Sequence, residues 1–247
     1  MTSSILALVA AAVGACLGSH ATTAALRSAR GEQAWVGRSR CDACGVTLNY
    51  AQTAPLVSFL RQGGSCTACG ARIDPSHVSG EATGAAVLGL SFWALPVMQA
   101  SLAGAIGVVL LAASVTDAKT RRLPDLLTLM AALGSAGLSF AAGMSSVYVG
   151  LAAGAATFLV LEACRRGFLA AKRQPGLGFG DVKLAAALAL WLGAATPWMV
   201  AVASLGGLGF YALTRPRDPR IPFGPFLAAS GWVIGFSREA HWWPSPM

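Results

Sequence analysis

Long apolar runs separated by short polar segments dominate the 247-residue chain. A helix needs roughly 20 residues to cross a hydrocarbon layer of about 30 Å, and the runs approach that length repeatedly. We therefore predict an all-α polytopic membrane protein with about eight transmembrane helices. A β-barrel would show short segments of alternating hydrophobicity instead. The predicted helices cover residues 1–26, 81–97, 101–116, 124–142, 145–164, 181–194, 197–214 and 223–236.

This pattern divides the chain into three parts. Residues 1–26 form the first transmembrane helix, residues 27–80 a polar segment, and residues 81–247 a seven-helix transmembrane domain. Composition agrees, since 55% of the residues are hydrophobic and only 11% are charged, whereas soluble domains carry about 25% charged residues. The polar segment is the one stretch large enough for a small soluble module.

Basic residues mark one side of the predicted membrane. All but one of the 18 Lys and Arg residues fall after the first helix or in and beside the 3–4, 5–6 and 7–8 loops; Arg238 is the exception. The positive-inside rule places these segments in the cytoplasm and both termini outside. Topology thus accounts for the net charge of +8. We therefore predict membrane lipid as the surroundings and no nucleic-acid partner.

Two aspartates stand out because the chain contains only ten Asp and Glu residues. Asp117 ends the third predicted helix, and Asp181 begins the sixth, within Gly178-Phe179-Gly180-Asp181. Both lie at the cytoplasmic interface in this topology, so their carboxyls can meet. An acid at membrane depth indicates a functional site, and two carboxyls in one site can activate a water and protonate a substrate carbonyl. We therefore predict an aspartic peptidase with Asp117 and Asp181 as its catalytic pair.

Neighbouring residues are expected to support this site. Gly178 and Gly180 allow close backbone approach and unusual dihedrals beside Asp181. Lys183 and Asp125 are further candidates, although an acid such as Asp125 is also favoured at a helix start by the helix dipole. A Gly-x-Gly-Asp sequence alone is more often a turn. The prediction therefore depends on finding the two acids at the same depth of an acid-poor membrane protein.

Four cysteines occupy the polar segment as two Cys-x2-Cys pairs, Cys41 with Cys44 and Cys66 with Cys69. This spacing is typical of a closed tetrahedral site for structural Zn²⁺. Two disulfides are the alternative, but a reducing cytoplasm disfavours them. A glycine directly follows each pair, as in the tight turn of a zinc knuckle. The other two cysteines, Cys16 and Cys164, fall in predicted helices and are expected to be small buried residues.

Taken together, the motifs resemble the type IV prepilin peptidase family, polytopic aspartic peptidases of the bacterial inner membrane. The resemblance implies that Asp117 and Asp181 are catalytic and that residues 81–247 form the peptidase domain. It runs through Gly18-Ser19, the cysteine pairs, Pro55-Leu56-Val57-Ser58, Ile73, Glu81, Asp117, Leu123-Pro124-Asp125, Gly178 to Leu184 and Ile221-Pro222-Phe223-Gly224-Pro225-Phe226.

The same resemblance implies the partners. The substrates would be type IV prepilins or pseudopilins, proteins of pilus assembly and type II secretion, and their basic leader would be cleaved at the cytoplasmic membrane face. Many members also N-methylate the new terminus with S-adenosylmethionine, and the segment containing Glu81 is a candidate for that step. One stretch departs from the family, since its Phe-Leu-Asn after Gly18-Ser19 is replaced by His20-Ala21-Thr22. This departure weakens the expectation of methyl transfer more than that of cleavage.

Two other functions fit parts of the pattern. Another membrane aspartic peptidase of the Gly-x-Gly-Asp type, such as a preflagellin-like enzyme, would share the two acids, but the four-cysteine module argues against it. A non-enzymatic transporter or assembly factor with a structural zinc site would use the acids as a proton relay. That function predicts acids near the bilayer midplane, whereas Asp117 and Asp181 map to the interface.

Overall fold

The computed structural model describes residues 2–34, 37–173, 176–215 and 221–242. Within these ranges the regular structure is helical, apart from two isolated β-bridges in the cysteine segment. A one-turn 3-10 helix, Gly193–Ala195, joins α8 to α9. The helices are α1 (Thr2–Ala29), α2 (Tyr50–Thr53), α3 (Val57–Arg61), α4 (Pro75–Ala94), α5 (Val97–Thr120), α6 (Asp125–Ala141), α7 (Met144–Lys172), α8 (Phe179–Leu192), α9 (Thr196–Thr214) and α10 (Gly224–Glu239).

Eight of these helices are long, and each overlaps one of the eight predicted helices. Within the described ranges, four stretches are long and apolar enough to cross a membrane, judged by length and composition. They are Ser4–Ala29, Val97–Thr120, Met144–Lys172 and Phe179–Thr214, the last containing both α8 and α9. An all-helical chain with several candidate membrane spans is therefore confirmed, while the number of eight spans stays a prediction.

Two helix ends near the predicted site differ from the sequence prediction. Helix α4 begins at Pro75 because the Asp74 side chain accepts a hydrogen bond from the Ser76 N–H at 2.8 Å, and proline suits the first turn of a helix. The same N–H group, with help from Lys119, lowers the pKa of Asp74 to about 2. Helix α5 continues to Thr120 and ends at Arg121, whose φ is 57°. Asp117 therefore lies inside the last turn of α5.

Helices α1 and α4 pack with their backbones in contact. A Cβ added to Gly14 would lie 2.2 Å from the carbonyl oxygen of Gly84, and one added to Gly18 would lie 2.2 Å from that of Gly80. Small residues allow such close approach between helices in a membrane. The close crossing brings the end of α1 beside the start of α4, where the cysteine segment is attached.

Helix α8 is the centre of the bundle. It contacts α6, α7 and α10, and α10 also packs on α5. The Trp232 Nε1–H of α10 donates to the carbonyl oxygen of Ala103 in α5 at 2.9 Å. Side chains on the outer surface are large, apolar and exposed, as expected of a surface in contact with lipid. The buried side chains of α8 include Val182, Leu184, Ala185, Leu188, Ala189 and Leu192.

Two sequence expectations about single residues are resolved by this packing. Cys16 and Cys164 are exposed on the outer faces of α1 and α7, so the expectation that they are buried was wrong. Arg238, the cation outside the cytoplasmic pattern, donates to the carbonyl oxygens of Trp191 and Leu192 at the end of α8. A cation suits a helix C-terminus, where carbonyl groups have no partner within the helix.

Candidate active site

Asp117 is buried at the end of α5, with 6% of the residue exposed. Its Oδ2 accepts a hydrogen bond of 3.0 Å from the backbone N–H of Gly224, the first residue of α10. The first N–H groups of a helix have no partner within the helix, and the positive end of the helix dipole favours a carboxylate there. Asp117 is therefore oriented by the start of another helix.

Gly224 has to be a glycine for this contact to form. A Cβ at this position would lie 2.9 Å from Asp117 Oδ2 and 3.2 Å from Asp117 Cβ. Sequence reasoning quoted Gly224 within a motif but did not assign it to the site. The available signal was a glycine directly before Pro225, because proline marks a helix start and glycine permits close backbone approach.

Asp181 is the third residue of α8, after the N-cap residue Gly178. The Asp181 carboxyl folds back against the backbone of Gly178, because a Cβ added to Gly178 would lie 2.8 Å from Asp181 Oδ2. The other carboxyl oxygen, Oδ1, is buried without a hydrogen-bond partner among the described residues. A buried polar atom of this kind needs an explanation such as a bound water or a reacting group. Asp181 lies within electrostatic reach of Asp117, and the contact between Gly180 and Leu123 brings the helix ends that carry the two acids towards each other.

The two glycines before Asp181 provide space. Gly178 has a φ of −68°, so the expectation of unusual dihedrals was wrong there. A Cβ on Gly178 would lie 2.8 Å from Asp181 Oδ2, and one on Gly180 would lie 2.9 Å from the Cβ of Leu123. The expected close approach is therefore present. Contact between Leu123 and Gly180 places the loop after α5 against the start of α8, which explains how acids from two distant helices meet.

Lys183 and Asp125, the other two predicted supporting residues, form an ion pair with each other. The pair links the first turn of α6 to the second turn of α8. The Asp125 side chain is 82% exposed, so it lies at the rim of the site. A cavity of about 720 Å³ borders this rim. Its walls include Ser28 and Thr116, and Thr116 directly precedes Asp117.

The four predicted metal ligands converge on one point. All four Sγ atoms lie within 4.8 Å of one another, and those of Cys41 and Cys69 are 3.9 Å apart. Zinc–sulfur bonds of about 2.3 Å in a tetrahedron imply sulfur–sulfur distances of about 3.8 Å. The thiols titrate together, since the backbone N–H groups of Cys44 and Ala43 lower the pKa of Cys41 to about 7 while the neighbouring thiols raise that of Cys69 to about 11. The donor set therefore fits a tetrahedral metal ion.

Both cysteine pairs adopt the same tight turn. Gly45 has a φ of 73° and its N–H donates to Cys41 O at 2.9 Å, while Gly70 has a φ of 72° and its N–H donates to Cys66 O at 2.8 Å. Glycine adopts positive φ at little cost, which explains why it follows each pair. The turn prediction made from the sequence is thus confirmed.

Glu81 joins the cysteine module to the helices. It is buried, and its two carboxylate oxygens accept hydrogen bonds from Ser19 Oγ at 2.8 Å and from the Leu56 N–H at 2.7 Å. Leu56 has a φ of 62°, which is uncommon for a residue with a side chain. Glu81 therefore holds a constrained turn of the module against α1 and α4. A second link is the ion pair between Asp74 and Lys119 of α5, at 3.1 Å.

Another cavity, of about 970 Å³, lies between the module, the end of α1 and the start of α4. Glu81 forms part of its wall. Both acidic and basic side chains line it, with one aromatic ring from the module. The residues that line it include Arg30, Arg72, Phe59, Asp74 and Glu81.

Two regions of the chain match known protein families. A family model described as the bacterial peptidase A24 N-terminal domain matches residues 12–95, and one described as the type IV leader peptidase family matches residues 104–212. The first match spans α1, the module and α4; the second spans the helices that carry Asp117 and Asp181. No solved structure matches the chain.

Several curated proteins named prepilin leader peptidase/N-methyltransferase are similar over most of their length. The protein from Neisseria gonorrhoeae is 34% identical over 212 residues, which cover 83% of this chain and 72% of that protein. The protein from Aeromonas hydrophila is 31% identical over 205 residues, covering 80% and 71%. That from Burkholderia pseudomallei strain K96243 is 34% identical over 206 residues, covering 79% and 66%. This chain therefore belongs to the type IV leader peptidase family.

Proposed function

We propose that this protein cleaves the basic leader from type IV prepilins or pseudopilins, using Asp117 and Asp181 as an aspartyl dyad. The observation that carries the proposal is the packing of the start of α8 against the loop after α5, which places Asp181 within electrostatic reach of Asp117. Asp181 Oδ1 is buried there and unpartnered among the described residues. One carboxylate takes a proton from water, whose oxygen attacks the scissile carbonyl carbon. The other, protonated, carboxyl donates a hydrogen bond to the carbonyl oxygen. The carboxyl that took the proton from water then gives it to the leaving amine as the C–N bond breaks.

The proposed topology places this chemistry at the cytoplasmic face of the bacterial inner membrane. Eight helices cross the membrane, both termini lie outside, and residues 27–80 form the cytoplasmic module. The charge distribution along the sequence supports this arrangement. The position of Asp117 in the last turn of α5 and of Asp181 in the first turn of α8 supports an interfacial site over a midplane proton relay.

A prepilin suits such a site physically. Its apolar segment can lie in the bilayer beside the exposed apolar side chains of the bundle, which leaves the junction with the basic leader at interface depth. The cavity of about 720 Å³ next to Thr116 offers a path for the polar leader towards Asp117. Its wall includes Asp125 as well as Lys119 and Arg122, so both signs of charge are available to a leader.

The direct test is cleavage by the purified full-length protein in detergent or liposomes. We expect a prepilin to be cut once, at the junction between leader and apolar segment, with the product identified by its mass. A preflagellin-type substrate should be cut far more slowly under the same conditions. Preferential cleavage of the preflagellin would favour the other membrane aspartic peptidase, and the absence of cleavage of either would favour the non-enzymatic alternative.

Replacing Gly224 by alanine should lower the cleavage rate by about 10- to 100-fold, the scale expected when a reacting group is displaced by about 1 Å. The new Cβ would meet Asp117 Oδ2 at 2.9 Å, and the easiest relief is movement of the Asp117 carboxyl. Gly209→Ala is the matched control, because a Cβ there meets nothing within 4 Å. Equal rates for Gly224→Ala and wild type would show that the contact does not orient Asp117.

We propose that the four cysteines bind structural Zn²⁺. Four thiolates from the protein complete a tetrahedral shell and leave no open position for substrate, so the ion stabilises the module and takes no part in hydrolysis. Support comes from the convergence of the four Sγ atoms and from the paired turns at Gly45 and Gly70. The reducing cytoplasm of the proposed topology keeps the thiols available for metal.

We further propose that the cavity of about 970 Å³ holds S-adenosylmethionine. Its wall contains the carboxylates of Asp74 and Glu81, which can attract a sulfonium cation while keeping their present hydrogen bonds. The Arg72 guanidinium can pair with the carboxylate of the cofactor, and the Phe59 ring can pack on its purine. When bound, this cofactor supplies a methyl group to the new amino terminus. The residues present therefore fit the group, although Thr22 departs from the family pattern.

Glu81→Gln should lower methylation of the cleaved product at least tenfold, because the amide retains the size of the side chain but loses the negative charge. Leader cleavage should change less than about threefold, since the dyad lies on other helices. Binding of isotope-labelled S-adenosylmethionine to detergent-purified protein provides a separate readout. Parallel losses of cleavage and methylation would show that Glu81 acts only by holding the module in place.

A further inference from the structure

Phe179 begins the helix that carries Asp181 and lies between the two glycines of the motif. Phe179 is 45% exposed, yet its ring has several neighbours. The guanidinium carbon of Arg165 lies 5.3 Å from the ring centroid, and Lys183 Nζ lies 5.1 Å from it. The ring of Phe158 meets it edge to face, with centroids 6.2 Å apart. Two cations and one aromatic ring thus surround an exposed phenylalanine.

The two cations are themselves fixed by acids. Arg165 donates from Nε and Nη2 to the two carboxylate oxygens of Glu162, at 2.7 and 2.8 Å. Glu162 is buried and also accepts from Arg166 at 2.7 Å. Lys183 is held by Asp125 at the start of α6. Phe179 therefore lies between an ion cluster of α7 and an ion pair that links α8 to α6.

The local sequence explains why such a contact is needed. Gly176, Gly178 and Gly180 occur within five residues, and each glycine increases the conformational freedom of the chain before Asp181. Within this stretch only Leu177 and Phe179 carry side chains that can pack. The Asp181 carboxyl lies against the backbone of Gly178, where an added Cβ would be 2.8 Å from Asp181 Oδ2, so movement of this turn moves the acid. Cations within about 6 Å of a ring centroid are attracted by the electron-rich face of the ring, and both Arg165 and Lys183 lie within that distance of Phe179.

We propose that Phe179 is a positioning residue for Asp181. Its ring, held between Arg165 and Lys183, orders the first turn of α8 and so fixes the Asp181 carboxyl relative to Asp117. Glu162 and Asp125 act one step further away, because they hold the two cations in place. The proposal rests on the proposed function, since its effect is measured as the rate of leader cleavage.

A different role for an exposed phenylalanine is direct contact with the substrate. The two roles differ in kinetics. A residue that positions a catalytic group lowers kcat and leaves KM nearly unchanged, whereas loss of a substrate contact that is equally strong in ground and transition states raises KM alone. Rescue also differs, because Phe179→Tyr retains an aromatic ring between the cations and Phe179→Leu does not.

The experiment measures kcat and KM for prepilin cleavage by Phe179→Leu, Phe179→Tyr and Arg165→Gln in the purified full-length protein. We expect kcat to fall about 10- to 100-fold in Phe179→Leu and Arg165→Gln, with KM within threefold of wild type. Phe179→Tyr should stay within threefold of wild type in both constants. The double variant Phe179→Leu/Arg165→Gln should be no slower than Phe179→Leu, because each change removes the same contact between Arg165 and the Phe179 ring.

Phe140→Leu is the matched control, as this phenylalanine is 70% exposed on α6 and outside the cluster. Thermal midpoints identify any variant that fails to fold, in which case Arg165→Gln and Phe179→Tyr still carry the test. Unchanged kcat in Arg165→Gln, a rise in KM alone, or equal losses in Phe179→Tyr and Phe179→Leu would overturn the proposal. Failure of the proposed function is a separate result, seen as absence of cleavage by the wild type.

Discussion

Replacement of either Asp117 or Asp181 by asparagine should lower the single-turnover rate of leader cleavage by about 10²- to 10⁴-fold, the range typical of general acid–base catalysis. Asparagine preserves the size of the side chain and an oxygen that can accept the Gly224 N–H. It cannot carry a negative charge or transfer a proton at neutral pH. The loss should therefore be in chemistry, with little change in folding or in substrate binding.

A matched acid-to-amide change tests whether the effect is local. The control is Glu239→Gln, because Glu239 is at the C-terminal end of α10, away from the two aspartates. The glutamine oxygen can still accept the hydrogen bond that Trp191 Nε1 now donates to Glu239 at 3.1 Å. This variant should cleave within about threefold of the wild-type rate. A wild-type rate in either aspartate variant would remove that residue from the catalytic pair and favour the proton-relay alternative.

Removal of the metal should unfold the cysteine module. Between residues 37 and 74 only Ser58 and Cys66 are buried, so the module lacks a hydrophobic core large enough to fold on its own. Structural zinc in small modules contributes about 10–16 kcal/mol of apparent binding free energy at neutral pH, which is also folding free energy. A strong chelator, or Cys66→Ser, should therefore make this segment sensitive to protease while the long helices keep their circular dichroism.

Cys16→Ser is the control for this experiment, because Cys16 is an exposed cysteine of α1 outside the cluster. It should keep one equivalent of metal and the protease resistance of the wild type. Readdition of Zn²⁺ should restore resistance to the chelated wild type and not to Cys66→Ser. Full protease resistance of the metal-free module would show that its turns and the Glu81 anchor suffice without metal.

Local patterns in the sequence predicted the features that depend on local interactions. Apolar run length predicted the eight long helices, and a glycine after each cysteine pair predicted the two tight turns. The late start predicted for α4 was wrong because a side-chain cap at Asp74 outweighs the polar character of residues 75–80. The third predicted helix is shorter than a membrane span requires and was expected to extend into its loop, and α5 does continue past Asp117 to Thr120.

Features that depend on distant residues were missed. Gly224 lies 107 positions from Asp117, and nothing in the local sequence indicates that its N–H faces this acid. Arg165 directly follows the fifth predicted helix, which ends at residue 164, whereas in the structure it belongs to α7 and lies against Phe179. Glu81 drew attention only through a family resemblance, whereas its anchoring role depends on Ser19 and Leu56 together. Each of these contacts becomes visible only when the packing of the helices is known.

The most direct test of the central claim is the single-turnover cleavage rate of the double variant Asp117→Asn/Asp181→Asn beside the two single variants. Residues that act as one catalytic unit show strongly non-additive effects, because loss of either one already disables the unit. We predict that the double variant cleaves within about tenfold of the slower single variant. A rate lower by the product of the two single effects would show that the two aspartates contribute independently and would contradict a shared dyad.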